Sequence, residues 1–79
     1  MDVEARLSAI RADVAEVLAV EPDRSLDEVP LLELGADSLC MVEIAARLRE
    51  AHGVEVTPET LFEARTIKDL ARLADRGGR

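Results

Sequence analysis

Leu34-Gly35-Ala36-Asp37-Ser38-Leu39 carries the chain out of an apolar loop, past a glycine, and into the first turn of a helix. Downstream, Leu39, Val42, Ile44, Ala45, Ala46 and Leu48 run without a breaker until Gly53, so a helix opens at Asp37 or Ser38 and Gly53 ends it as a left-handed cap. Upstream, residues 20–37 hold Pro22, Pro30 and Gly35, yet also Leu26, Val29, Leu31, Leu32 and Leu34, so this long connection has to pack back on a core. Gly35 permits a tight turn or a positive φ just before the helix.

Further out, Val3, Leu7, Ile10, Val14, Val17 and Leu18 recur at spacings of three and four, which predicts a first helix with Asp2 as its N-cap, stopping before Pro22. Ser25 and Glu28 have capping-box spacing, predicting one helical turn that Pro30 keeps short. Thr57-Pro58-Glu59 supplies an N-cap, a proline at the first helical position and an acid in the first turn of a short helix holding Leu61 and Phe62. Thr66 and Asp69 form another capping box ahead of Ile67, Leu70, Leu73 and Ala74, in a last helix that frays into a flexible tail at 76–79. The expectation is one all-α domain over residues 1–79, with three main helices, one short one, and a long loop between the first two.

Composition supports this and narrows the function. Apolar residues make up 48% of the 79, but the only aromatic is Phe62, so the interior is built from Leu, Val, Ile, Ala and Met, which suits packed helices. One cysteine, Cys40, and one histidine, His52, leave neither an internal disulfide nor the ligands of a zinc cluster. With no long apolar run and no basic-then-apolar start, the chain reads as cytoplasmic, without a membrane span. The segment Glu21–Glu63 holds eleven acids against three arginines, a charge of −8 within a total of −7. Such a segment repels nucleic-acid phosphates and complements basic protein surfaces, although most of its carboxylates serve simply to solvate helix faces.

Ser38 is the residue with chemical options. At a helix start it is an N-cap by default, but free N–H groups and the macrodipole also favour an anion there, so a phosphodiester on its oxygen would be accommodated. A hydrolase is excluded: fourteen helical residues put His52 roughly 20 Å away, and no G-x-S-x-G elbow is present. Nor does a glycine precede a lysine in phosphate-loop spacing. His52 reads as a cation near a helix C-terminus.

Gly35-Ala36-Asp37-Ser38-Leu39 resembles the attachment motif of acyl carrier proteins, whose serine receives 4'-phosphopantetheine from coenzyme A. The likeness extends to the leading helix, the apolar loop, Val42-Glu43-Ile44, and the late segment Leu61-Phe62-Glu63-Ala64-Arg65-Thr66-Ile67. It implies an all-α, four-helix acyl-carrier bundle, monomeric and without catalytic residues. Ser38 would carry the covalent 4'-phosphopantetheine, installed by a magnesium-dependent phosphopantetheinyl transferase, and a terminal thiol would hold acyl or aminoacyl groups as thioesters. Asp37, Leu39, Met41, Val42 and Glu43 would meet partner enzymes with basic docking surfaces. Ser38, Met41, Val42 and Ala45 share one side by helical spacing, Asp37 has capping as its structural alternative, and Met41 has core packing.

Two departures bear on the pathway. Cys40 stands where many fatty-acid carriers place an acid, pointing away from housekeeping lipid synthesis, and reads as a small buried hydrophobe. Leu61–Ile67 resembles peptidyl carriers of nonribosomal peptide assembly, with Arg65 in place of their usual proline. A discrete polyketide-type carrier of a natural-product pathway is expected, with a peptidyl carrier as the alternative and an unmodified interaction module behind both.

Overall fold

Each helix starts or stops on a device that the local sequence carries. The computed structural model describes residues 3–77. It contains α1 (Val3–Leu18), α2 (Ser38–His52), α3 (Pro58–Ala64) and α4 (Ile67–Gly77), with 3₁₀ turns at Arg24–Leu26 and Leu31–Leu34 between α1 and α2. No strand occurs among the described residues, in accord with the all-α expectation. The N-cap expected at Asp2 and the last two residues of the expected tail lie outside the described residues, while Arg76 and Gly77 are still helical.

Four of the expected boundaries form as their residue types dictate. Asp37, extended at φ −112° and ψ −171°, caps α2 with a carboxylate that accepts from the Cys40 N–H at 2.9 Å. Gly53 closes α2 at φ 65°, donating to the carbonyls of Arg49 and Leu48. Thr57 and Thr66 cap α3 and α4 through their hydroxyls, which accept from the N–H of Thr60 at 3.2 Å and of Asp69 at 3.1 Å.

Two expectations change. Asp23, rather than Ser25, caps the first 3₁₀ turn, its carboxylate accepting from the Ser25 N–H at 2.8 Å. A second turn, Leu31–Leu34, follows Pro30 and is closed by Gly35 at φ 98°. α1 stops before Pro22 as expected, and the residue that ends it is Ala19, at φ 58°, with Val20 N–H bonding the Ala15 carbonyl at 2.9 Å and Ala19 N–H that of Glu16 at 3.2 Å, the paired bonds of a Schellman motif. An alanine in the left-handed region is strained, so Ala19→Gly is expected to stabilise the fold by about 0.5–1 kcal/mol after the entropy of the glycine is deducted. Thermal melting checks this, and a lower midpoint would contradict it.

The core lies where α1 packs on α2 and α4, and α3 bridges α2 to α4. Ile10 and Val14 of α1, Ile44 and Leu48 of α2, Leu61 of α3, and Ile67 and Leu70 of α4 are all fully enclosed. Val3, at the head of the expected α1 stripe, is exposed, whereas Leu7, Val17 and Leu18 pack against the core's edge. The long connection packs back through Leu31, Leu26 and Leu34, but Leu32 remains outside.

Three ties hold that connection in place. Arg11 of α1 donates from Nε and Nη2 to both carboxylate oxygens of Asp27, at 2.7 and 2.6 Å. The Asp27 carbonyl accepts from the Lys68 N–H at 3.0 Å, and the Leu31 N–H donates to the Arg65 carbonyl at 2.7 Å. The loop that leads to Ser38 is therefore attached to α1 and to the start of α4.

Candidate functional site

Ser38 is the first residue of α2 and is exposed. Because Asp37 takes the capping role, the hydroxyl of Ser38 is left free of structural duty and makes no hydrogen bond among the described residues. The default reading of a serine at a helix start, a cap, is thereby filled by its neighbour. Cys40 and Met41 direct their N–H groups to the Asp37 carboxylate and carbonyl, at 2.9 Å each. The N–H of Ser38 itself has no partner among the described residues. An oxygen substituent on Ser38 would thus sit in solvent at the positive end of a 15-residue helix.

Asp37 is exposed, and the Cys40 N–H that it caps holds its carboxyl below the ordinary carboxylate value. At neutral pH it is ionised in the folded and unfolded states alike. Its contribution to the fold is present above the unfolded carboxylate range and is lost only as pH falls through that range and below.

The other expected site residues divide. Leu39 is 80% exposed and Val42 52%, large apolar side chains left in water one turn apart on α2, with exposed Glu43 beside them. They line an open groove of ≈ 810 Å³ that runs along α2 past Ala46, Arg47 and Glu50 to Asp13 of α1. Met41 is corrected: at 1% exposure it is core, not a contact for partners. The reason is geometric. The side that begins at Ser38 continues through Met41, Ile44, Ala45 and Leu48, which is the face α2 turns to the core, and Ser38 escapes burial only because the core ends at the first turn. Ala45 is buried with Met41, so neither joins the exposed surface. Cys40 is only partly enclosed, at the core's edge.

Sequence reasoning missed two neighbours. Leu32 of the second 3₁₀ turn, 62% exposed, and Phe62 of α3, 44% exposed, line a second groove of ≈ 500 Å³ with Leu31, Met41, Leu61 and Arg65. Both grooves reach the first turns of α2, one through Leu39 and Val42 and the other through Met41, and Ser38 itself lines neither. The one signal available was Phe62, the sole aromatic of a chain whose core does without it.

His52, the last residue of α2, is separated from Ser38 by the full length of that helix, and its Nε2 lies 3.1 Å from an Asp13 carboxylate oxygen. It joins α2 to α1, as does the Arg47–Glu16 pair, and no Ser–His dyad can form within the chain. No helix among the described residues is long and apolar enough to cross a membrane.

Comparison with known proteins gives this site a context. Residues 8–74 match the family described as phosphopantetheine attachment site. An acyl carrier protein of Zymomonas mobilis is 36% identical over 84% of this chain and 86% of its own length. A polyketide synthase of Burkholderia thailandensis is 40% identical over 95% of the chain, and a linear gramicidin synthase of Brevibacillus parabrevis 40% over 92%. The chain spans only 1% of the length of each of these two synthases. No solved structure matches it.

Proposed function

The chain belongs to the phosphopantetheine carrier family, and from that premise we propose that it is a carrier whose 4'-phosphopantetheine is joined to Ser38. The observation that carries the assignment to this residue is the free hydroxyl of Ser38 at the head of α2, exposed and relieved of capping by Asp37. The group fits: an exposed acceptor oxygen, an unbonded first-turn N–H, and the helix dipole all tolerate a phosphodiester. When bound, the arm supplies a thiol that holds acyl or aminoacyl groups as thioesters. The protein's own residues present that arm and select who approaches it, so the chain is a substrate of a phosphopantetheinyl transferase rather than an enzyme.

The partners are synthase or loading enzymes with basic docking surfaces, in a natural-product pathway of polyketide type in the cytoplasm. The synthase relatives support that setting, and the gramicidin synthase relative keeps a peptidyl carrier as the second reading. Leu39 and Val42 would supply apolar contact, with Asp37 and Glu43 matching positive charge. Intact mass after incubation with coenzyme A, magnesium and a promiscuous phosphopantetheinyl transferase tests the central claim. One added phosphopantetheine is expected, and a folded protein that gains none overturns it.

Glu43 gives a milder prediction. Glu43→Lys is expected to weaken capture by a basic partner such as the transferase about fivefold at low salt, an effect that fades as salt screens the exposed pair, with the melting curve unchanged. Equal affinity at low salt would remove Glu43 from the docking surface.

A further inference from the structure

Arg65, between α3 and α4, holds a backbone conformation that side-chain-bearing residues avoid, at φ 67° and ψ −51°. The Thr66 N–H reaches back to the Ala64 carbonyl at 2.7 Å, closing a three-residue γ-turn of the rarer hand around Arg65. Such strain persists only where the surroundings over-determine it. The surroundings here are specific. The turned peptide presents the Arg65 carbonyl to the Leu31 N–H at 2.7 Å. The Leu31 carbonyl in turn accepts from Gly35 and, at 3.1 Å, from Ala36. Ala36 is buried and is followed directly by the Asp37 cap and Ser38. Leu31 therefore has its N–H on the α3–α4 junction and its carbonyl on the turn that delivers the serine.

We propose that the γ-turn at Arg65 is a latch: its strained backbone holds the Ser38-presenting turn against the α3–α4 junction, and relaxation of Arg65 releases Leu31 and widens the groove between Leu32 and Phe62. The closed latch sets how Ser38 stands relative to α3. The open one loosens the loop without unfolding the helices, because the Leu31 side chain is buried in the core it shares with Met41 of α2 and Ile67 of α4, and the second tie, Lys68 N–H to the Asp27 carbonyl, remains. Arg65 acts through its backbone as a positioning residue. Its bearing on loading rests on the proposal that Ser38 is the attachment point, but the latch itself does not.

Backbone preference is adjustable without touching the bonds. Arg65→Gly removes the penalty on positive φ, Arg65→Val raises it, and Arg65→Lys leaves it unchanged while altering the guanidinium; all three keep the N–H that bonds the Leu61 carbonyl. Amide exchange at Leu31 reads the latch directly. Relative to wild type, exchange is expected about threefold slower in Arg65→Gly, about tenfold faster in Arg65→Val and equal in Arg65→Lys. Transferase kinetics read the positioning: Arg65→Val is expected to lower kcat/KM about fivefold through KM, with kcat retained and its far-ultraviolet circular dichroism native. If Arg65→Val does not fold, the glycine and lysine variants decide the matter. Leu31 exchange that is unchanged or faster in Arg65→Gly, or alike in glycine and lysine variants, overturns the latch whatever the serine does. Altered exchange with no change in KM overturns the link to Ser38 alone.

Discussion

Ser38→Ala is expected to gain no phosphopantetheine under conditions that convert the wild type completely, and to melt within about 0.5 kcal/mol of it. Both halves follow from the start of α2. The hydroxyl is the proposed acceptor atom, and alanine has nothing to put in its place. The fold, however, does not use that hydroxyl: Asp37 caps the helix, and Ser38 makes no side-chain bond among the described residues. A surface position that anchors nothing tolerates alanine, a good helix former. The competing hydroxyls are also accounted for. Thr57 and Thr60 share a bond of 3.0 Å while Thr57 caps α3, and Thr66 caps α4. Ser8 lies inside α1 and Ser25 in a 3₁₀ turn of three residues, so Ser38 alone stands at the N-terminus of a long helix. Intact mass and a melting curve on the same sample decide the question: equal mass gain by the variant moves the site elsewhere, and a collapsed variant gives the serine a structural role that the capping geometry denies.

Helix boundaries are legible wherever the device is local. Asp37, Gly53, Thr57 and Thr66 each act on an N–H or carbonyl within five residues, so residue type and spacing carry the information. Ala19 and Arg65 are illegible for the complementary reason. Nothing in an alanine or an arginine announces positive φ, which at Ala19 closes a Schellman motif without the glycine that would signal it, and at Arg65 accompanies a bond to distant Leu31. Along α2, periodicity groups Ser38 with Met41, Val42 and Ala45 on one side but does not say which of them the neighbouring helices cover, so Met41 and Ala45 prove to be core while Val42 stays exposed. Conversely, exposed Leu32 and Phe62 look like core residues in any window of sequence, and only the assembled fold shows them beside the groove at α2.

Asp27 illustrates the same limit and yields the largest stability effect expected. By sequence it is one of eleven acids in a strongly negative segment and reads as solvated. In the fold it is the one buried charged residue among those described, clasped by Arg11 across sixteen positions with both side chains about 12% exposed. Arg11→Ala strands that carboxylate in the interior, and Asp27→Ala strands the guanidinium. Each is expected to cost about 3 kcal/mol, the lower end for a buried pair because some water reaches this one. On a chain of this size that is a large part of the total, since domains hold roughly 0.05–0.15 kcal/mol per residue. The double variant Arg11→Met with Asp27→Leu should cost far less than the two single losses combined, because the desolvation of both ions disappears with them. Urea melts of the four proteins check this. Additive losses would show that each side chain acts separately, and single losses under about 1 kcal/mol would show the pair to be effectively a surface contact. Intact backbone ties at Lys68 and Leu31 predict that the double variant still presents Ser38 for loading, which separates the clasp that stabilises the loop from the bonds that aim it.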